Sequence, residues 1–323
     1  MPTLTLNYPV STLDGRQLLP AGTRLDEAVL QDIAAAGRDR HRFRPLLGHG
    51  QIRRDLQQQM STLPYAVIFG PKDQQDELWA MMEEVNIIAP CLVSLDYFQQ
   101  HDPATYRHIL MVFALTTLLA RDLIPDCRDW LHESFASPTH DIGKTCVPLE
   151  VLRKTTPLRR SERQMLEHHT LSGYVLLSHY LGDHHHFAAR VARDHHERKN
   201  GSGYPRGIRN TDPMVEIITV CDIYDALVSP RPYRTTCFDN RTAIEEITRL
   251  AERGEIGWYV VKALVAHNRR VNYDPGEVWV SDEKRGTPPP GNTYGILLDD
   301  EDEPPADDSA PVTSGEKSGP VPG

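Results

Sequence analysis

The part of the sequence that decides the fold runs from His140-Asp141-Ile142-Gly143-Lys144, through His195-His196-Glu197, to Arg231-Pro232-Tyr233-Arg234. The chain has 15 histidines, and eight of them lie between residues 168 and 196. An adjacent His-Asp pair offers one nitrogen ligand and one carboxylate that can bridge two cations, and imidazole with carboxylate suits iron, manganese and zinc. The stretch therefore predicts a metal site for cutting phosphate esters.

Two apolar helices are predicted to carry candidate ligands into the core. In the first, Thr105 to Asp122, His108 lies on an apolar face made of Met111, Val112, Leu115 and Leu119. We interpret His108 as a ligand rather than a hydrogen-bonded core histidine, because of the motifs downstream. In the second, which Asp212-Pro213 should open, Asp222 follows an apolar run, where a cation would offset the cost of burying a carboxylate. Asp225, one turn later, is expected to support a ligand or cap the helix.

The histidine-rich stretch separates into residues that point inward and residues that do not. Ser161 with Gln164 is typical of a capping box and predicts a helix through Leu177. On that helix His169 lies one turn from Gly173, so it faces inward where backbones approach closely. We interpret His168 as a surface residue. The triplet His184-His185-His186 is likewise interpreted as surface histidines that could take up metal during purification.

After His195-His196-Glu197 the sequence has a loop, Arg198 to Pro205, which is rich in turn-forming residues and is predicted to be sharply bent.

The five cysteines include no Cys-x-x-Cys pair, which argues against a disulfide framework and favours a reducing cytoplasm. No apolar run approaches the ~20 residues that a spanning helix needs, so membrane insertion is not expected.

Charge and length divide the chain into three parts. The formal charge of −10 comes mostly from residues 273–323, which hold twelve acidic against three basic residues and leave the rest nearly neutral. That acidic, proline-rich tail is predicted to be disordered and to repel nucleic acid. Residues 1–100 predict a small α+β module, with a helix from Leu25 to about Gly37, a strand at Tyr65–Phe69 and a further helix to about Glu84. We interpret this module as a docking, dimerisation or ligand-sensing unit.

These residues resemble the HD-GYP family, the bacterial phosphodiesterases of the second messenger cyclic di-GMP, which are a branch of the HD superfamily. The resemblance covers roughly residues 101–272. It is carried in the family's order by His-Asp-Ile-Gly-Lys, by His-His-Glu with Gly-Ser-Gly-Tyr-Pro, and by Asp-x-x-Asp-Ala-Leu with Arg-Pro-Tyr-Arg. The fold it implies is mainly α: an all-helical HD-type catalytic domain at 101–272, preceded by the α+β module at 1–100 and followed by the disordered acidic tail at 273–323.

The resemblance also implies roles for individual residues. The implied metal ligands are His108, His140, Asp141, His169, His195, His196 and Asp222, with Asp141 bridging two divalent ions, iron or manganese. The implied substrate-binding residues are Lys144, Gly203, Tyr204, Pro205, Arg231 and Arg234, and Lys144 would also act with Asp141 in catalysis. Some members carry a glutamate for a third metal where this chain has Ala104, so two metals are expected. Pro138 is expected to break the helix that leads into His140.

The implied reaction is hydrolysis of cyclic di-GMP to linear pGpG by a hydroxide bridging the two metals, with GMP as a further product if pGpG is also accepted. Two alternatives remain open. One is a catalytically weak HD-GYP protein that acts as a cyclic di-GMP receptor or protein-interaction module, through its Gly-Tyr-Pro loop or its N-terminal module. The other is an HD phosphohydrolase for another cyclic dinucleotide. A homodimer, a cytoplasmic location and no nucleic-acid partner complete the expectations.

Overall fold

The computed structural model describes residues 4–37, 41–70, 75–124, 135–209, 212–231, 236–274, 276–290 and 298–299. Helices dominate these ranges, and the strands form only two-stranded sheets. The predicted class, a mainly helical protein with a small α+β region at its N-terminus, is confirmed. The described residues contain no helix that is both long enough and apolar enough to cross a membrane.

The N-terminal region combines three antiparallel strand pairs with short helices. Strand β1 (Leu4–Thr5) pairs with β4 (Arg24–Leu25), β2 (Val10–Ser11) with β3 (Gln17–Leu19), and β5 (Phe43–Pro45) with β6 (Asn86–Ile88). The helices of this region are α1 (Glu27–Ala36), α2 (Ile52–Met60), α3 (Tyr65–Phe69) and α4 (Asp76–Glu83).

Helix α1 follows the predicted pattern closely. The Asp26 side chain accepts a hydrogen bond from the Val29 amide at the N-terminus, and the helix ends before Gly37. A Cβ at Gly37 would lie 1.6 Å from the carbonyl oxygen of His179, so only glycine lets α1 approach the helix that carries His179. A hydrogen bond of 3.0 Å between His179 Nδ1 and the carbonyl of Ile33 holds the same contact.

The strand predicted at Tyr65–Phe69 is wrong, because these residues form helix α3. A five-residue apolar run is too short for its periodicity to separate a strand from a buried helical turn. Tyr65, Ile68 and Phe69 are buried, and their spacing places them on one face of the helix. The helix packs against the later helix Trp258–Arg269.

From residue 89 to residue 269, the regular elements of the described residues are all helices. They are α5 (Ala89–His101), α6 (Pro103–Leu123), two 3₁₀ segments (Ser137–Thr139 and Ile142–Cys146), α7 (Leu149–Leu152), α8 (Arg160–Glu167), α9 (His169–Leu181), α10 (Phe187–Asp194), α11 (Pro213–Val228), α12 (Asn240–Glu252) and α13 (Trp258–Arg269). Helix α6 is buried on all sides from His108 to Ala120, as expected for a helix at the centre of a domain. It packs against α5 and α11, while α9 packs against α10, α1 and the second 3₁₀ segment. Buried side chains from Leu6 to Val278 form one connected apolar core.

The helix predicted from Ser161 to Leu177 needs correction at its start and in its middle. Its N-cap is Arg159, whose amide donates to Glu162 Oε2 at 2.7 Å, so Glu162 and not Gln164 completes the cap. The helix is also interrupted at His168, which ends α8 and precedes α9. The break turns His169 into the first residue of a new helix.

The segment predicted as tail begins with residues that contact the domain. The Glu245 carboxylate on α12 accepts hydrogen bonds from the amides of Arg285 and Gly286, at 3.1 and 2.7 Å. Val278 is buried against the core. The acidic run after residue 299 lies outside the described residues.

Candidate metal centre

The structure brings the seven predicted metal ligands to one place. His108 comes from α6, His140 and Asp141 from between the 3₁₀ segments, and His169 from the start of α9. His195 and His196 follow α10, and Asp222 lies in α11. Five separate pieces of chain thus converge on one buried cluster.

Asp141 lies at the middle of the cluster, and its two oxygens face different histidines. Its Oδ2 lies 3.4 Å from His108 Nε2 and 3.5 Å from His140 Nε2. Its Oδ1 lies 3.3 Å from His169 Nε2 and 3.8 Å from His195 Nε2. The two carboxylate oxygens thus face two different pairs of imidazoles.

The remaining ligands complete a set on each side of Asp141. On one side the donor atoms of His108, His140 and Asp222 all lie within 4.8 Å of one another, with Asp222 Oδ1 3.0 Å from His108 Nε2. On the other side the same limit holds for His169, His195 and His196. The first set offers two imidazole nitrogens and a carboxylate oxygen, and the second offers three imidazole nitrogens. Both kinds of donor suit divalent transition metals.

Backbone carbonyls orient three of the imidazoles. The Nδ1 atoms of His140, His169 and His195 donate to the carbonyls of Ser137, Leu166 and Val191, at 2.6, 2.6 and 3.0 Å. Each Nε2 therefore keeps its lone pair and points into the cluster. His140 Nε2 is fully buried and has no hydrogen-bond partner among the described residues. A bound cation would satisfy that atom, so the residues fit a metal.

A carboxylate and a tyrosine support His108 from behind. Asp225 Oδ2 lies 2.6 Å from His108 Nδ1, which is the supporting role expected of Asp225. The other oxygen, Oδ1, accepts hydrogen bonds from the hydroxyls of Tyr65 and Ser229. Arg231 Nη2 lies 3.4 Å from Asp225 Oδ2. The hydrogen bond from Tyr65 to Asp225, 160 positions later in the chain, thus connects α3 of the N-terminal region to the residue behind His108.

Burial and neighbouring charges set the protonation of the cluster. Burial lowers the pKa of His140 to about 4 and that of His169 to about 3, so both are neutral and able to ligate at pH 7. Burial and Arg231 lower the pKa of His108, but Asp225, Asp141 and Asp222 outweigh them and raise it to about 10. Although burial opposes it, Lys144 and His140 hold the pKa of Asp141 well below its usual value. Metal binding would have to displace the proton of His108.

Pro138 lies in the first 3₁₀ segment, a single turn, and residues 125–134 before it lie outside the described residues. That turn nevertheless places His140 in the cluster.

The second 3₁₀ segment packs closely on α9. A Cβ at Gly143 would lie 1.9 Å from the carbonyl oxygen of His169 and 2.4 Å from the Gly173 amide nitrogen. The close backbone approach expected at Gly173 is present.

The Gly-Tyr-Pro loop is folded against the cluster by Glu197. Its Oε1 accepts from the Arg206 amide at 2.6 Å and its Oε2 from the Ile208 amide at 3.0 Å. A Cβ at Gly203 would lie 2.3 Å from the His196 carbonyl oxygen, so the loop can only close with glycine there. The Tyr204 ring stacks on the His196 imidazole with centroids 4.6 Å apart, and Pro205 follows in the same bend.

A cavity of about 210 Å³ opens over the cluster. His108, His169, His196, Asp222 and Tyr204 line it, together with the basic side chains Lys144, Arg163, Arg198 and Arg231. The Lys144 ammonium forms an ion pair with Asp141 Oδ2. Arg234 lies outside the described residues. The sequence did not single out Arg163 and Arg198 as cavity residues. Arg163 lies one helical turn before Glu167, and this spacing is no motif for a binding site.

Two predictions for the other histidines are corrected. His168 is buried, with 6% of its surface exposed, and its Nδ1 lies 3.0 Å from Ser172 Oγ, while Tyr8 packs edge-on against its ring. His184 is also buried, and its Nε2 lies 3.0 Å from Glu27 Oε1. In both cases the N-terminal region covers the ring, and sequence spacing within the histidine-rich stretch carries no information on that contact.

The sequence profile of the HD domain family matches residues 93–257, which is about half of the chain and includes all seven clustered residues. The chain belongs to the HD domain family. A cyclic di-GMP phosphodiesterase from Thermotoga maritima is 31% identical over 182 residues, which cover 56% of this chain and 46% of the relative. A cyclic di-GMP phosphodiesterase from Pseudomonas aeruginosa is 35% identical and covers 54% of this chain and 42% of its own length.

A third relative of this HD domain protein differs in its named substrate. The 3'3'-cGAMP-specific phosphodiesterase 3 of Vibrio cholerae is 38% identical over 149 residues, which cover 45% of this chain and 32% of the relative. The HD domain chain thus spans less than half the length of each of these curated relatives. The match confirms the predicted place in the HD superfamily, and the names of the relatives support its HD-GYP branch.

Proposed function

We propose that this HD domain protein is a phosphodiesterase that hydrolyses cyclic di-GMP to pGpG at a centre of two divalent metals. One observation carries the proposal: Asp141 faces His108 and His140 with one oxygen and His169 and His195 with the other. The names of the Thermotoga and Pseudomonas relatives support the choice of substrate.

The donor set supports iron or manganese in both positions. His108, His140 and Asp222 would hold one metal, His169, His195 and His196 the other, and Asp141 both. Ala104 lines the cavity beside the first set and offers no side-chain ligand for a third metal. When bound, such a pair supplies an acidified water and offsets the charge that develops on the phosphate.

The cationic side chains over the cluster would bind and orient the dinucleotide. Lys144 lies beside Asp141, where its ammonium can contact the scissile phosphate or the departing oxygen. Arg231, near His108, lines the cavity together with Arg163 and Arg198, and the three guanidinium groups can pair with the second phosphate or a guanine edge. Arg234 is proposed for the same role. Tyr204, held by its stack on His196, would form the wall against which a base packs.

A single phosphodiester cut in cyclic di-GMP opens the ring and yields pGpG. The same residues would release GMP if the linear product binds again with its remaining diester over Asp141. Another cyclic dinucleotide is the second candidate, because the Vibrio cholerae relative is named for 3'3'-cGAMP.

The test measures metal content and hydrolysis on one sample of untagged protein, purified without oxygen. About two iron or manganese per chain, together with pGpG from cyclic di-GMP, is the expected result. Parallel assays with 3'3'-cGAMP decide between the two substrates. Protein that holds two metals and binds cyclic di-GMP tightly, yet leaves both dinucleotides uncut, would overturn the proposal in favour of a receptor.

A further inference from the structure

A second group of metal-binding side chains lies away from the centre, where α1 meets the turn between α9 and α10. It consists of Glu27, His184 and His185, whose ligand atoms all lie within 4.8 Å of one another. We propose that these three residues form a Zn²⁺ site that ties the N-terminal region to the HD domain.

The distances match what zinc requires. Two ligands bound at ~2.0–2.1 Å around a tetrahedral zinc lie about 3.4 Å apart. Glu27 Oε1 lies 3.0 Å from His184 Nε2 and 3.8 Å from His185 Nε2, so the two separations lie on either side of that value. Two imidazoles and one carboxylate are a set that zinc accepts with water as its fourth ligand.

The local structure aims the three side chains at one another. His184 is 6% exposed, so its ring has little freedom, and the His185 ring lies beside it with centroids 3.9 Å apart. Asp183 Oδ1 accepts from the His185 amide at 2.8 Å and fixes the turn. Gln31 Nε2 donates to Glu27 Oε1 at 2.9 Å and holds the carboxylate toward the pair.

His186, the third histidine of the triplet, has a different task. Its Nδ1 accepts a hydrogen bond from the Ala188 amide at 3.1 Å and caps α10. The triplet therefore divides into a metal-facing pair and a helix cap. The ring nitrogens of the pair lie 3.0 and 3.8 Å from Glu27 Oε1.

The proposed zinc site lies between α1 and the turn that joins α9 to α10 of the HD domain. The turn that carries His184 and His185 joins α9, which begins at His169, to α10, which ends just before His195. Glu27 lies outside residues 93–257 that match the HD domain family. Zinc bound here would hold α1 against the two helices that carry one half of the candidate metal centre.

The test titrates Zn²⁺ into untagged protein whose centre has first been loaded with Mn²⁺, by calorimetry, while electron paramagnetic resonance reports any manganese that is released. We expect one zinc per chain to bind with manganese retained. Glu27→Gln and His185→Gln alter side chains that are 61% and 73% exposed, so both variants should fold. Each should weaken zinc binding by at least about tenfold.

His49→Gln is the matched control, because His49 also pairs with a carboxylate, Asp96, at 2.8 Å but that pair contains one imidazole only. It should bind zinc like the unaltered protein. Zinc should also slow amide hydrogen exchange in α1 of the control but not of the His185 variant. Unchanged zinc affinity in either site variant, or zinc uptake only in exchange for manganese, would overturn the site. If manganese does not load, the number of zinc ions bound per chain is compared instead. One zinc more in the unaltered protein than in the His185→Gln variant supports the site, and equal numbers overturn it.

Discussion

In the proposed two-metal centre both halves depend on Asp141, since one carboxylate oxygen faces each half. Asp141→Asn keeps the size of the side chain but removes its charge and turns one oxygen into an amide donor. We expect the variant to lose cyclic di-GMP hydrolysis and to retain at most one metal per chain. Metal analysis and a turnover assay on the same sample check this, with Asp96→Asn as an exposed control. Full metal content with retained turnover would contradict the bridging role.

We expect His168 to make the stability of the protein depend on pH, because burial lowers the pKa of His168 to about 4 from the ordinary 6.5. Below pH 6.5 the unfolded chain gains a proton here, while the folded chain does not until pH falls to about 4. The free energy of unfolding should therefore fall across that window, by about 3 kcal/mol at most for this one group. His168→Gln should flatten the fall by a similar amount. Urea unfolding of metal-free protein at about pH 7, 6 and 5 measures it, and parallel curves for the two proteins would disprove the assignment.

Among the elements, α3 has an effect out of proportion to its five residues, because Tyr65 donates to the carboxylate that supports His108. Tyr65→Phe removes the buried hydrogen bond to Asp225 and the 2.6 Å contact of the hydroxyl with Ser229 Oγ. We expect the substitution to cost about 1–2 kcal/mol of stability. It should also weaken metal binding roughly tenfold or more, as loss of a group behind a ligand does. Tyr106→Phe is the control: its hydroxyl donates to Asp55 Oδ2 on α2 at 2.8 Å, and Asp55 does not contact the clustered residues. Equal metal affinity in the two variants would show that Tyr65 only stabilises the fold.

The contact between the second 3₁₀ segment and α9 is fixed by Gly143. Gly143→Ala would place a methyl group 1.9 Å from the His169 carbonyl, so the segment and the helix must separate. We expect a loss of about 3 kcal/mol or more and reduced metal content, since Asp141 and His169 move apart. Gly48→Ala, whose methyl group would meet only Pro45 at 3.6 Å, should be nearly neutral. Thermal unfolding of the unaltered protein and the two variants, with and without metal, separates loss of stability from loss of the site.

At the scale of the whole molecule, the continuous core from Leu6 to Val278 makes the N-terminal region part of the folded HD domain protein rather than an independent attachment. Deletion of residues 1–88 would expose the faces of α6, α9 and α13 that α1, α2 and α3 now cover. We expect the shortened chain to aggregate or to lose its metals. Sedimentation and metal analysis test this, and a monomeric, metal-loaded fragment would show that the boundary near residue 100 separates two independent domains.

The sequence predicted more of the site than of its surroundings, for a physical reason. His140, Asp141, His195 and His196 belong to short motifs that carry the family resemblance. His108 lies on a periodic apolar helix, and those downstream motifs favoured it as a ligand. Tyr65 and the burial of His168 depend on contacts with residues 160 positions away in one case and with Tyr8 in the other. Apolar patterning cannot specify which distant surface covers a side chain. The same limit explains why five apolar residues at α3 were assigned to a strand.

The hydroxyl of Tyr65 also constrains protein engineering. Regulatory modules are commonly exchanged by joining a foreign input unit to a conserved output domain at a linker. In this protein a join near residue 89 would remove the only hydroxyl that α3 gives to Asp225 among the described residues. A chimera that preserves every metal-binding motif would then carry a His108 whose partner, Asp225, has lost one of its hydrogen-bond donors. A working exchange has to retain α3 with its tyrosine, which moves the practical cut to the N-terminal side of Pro64.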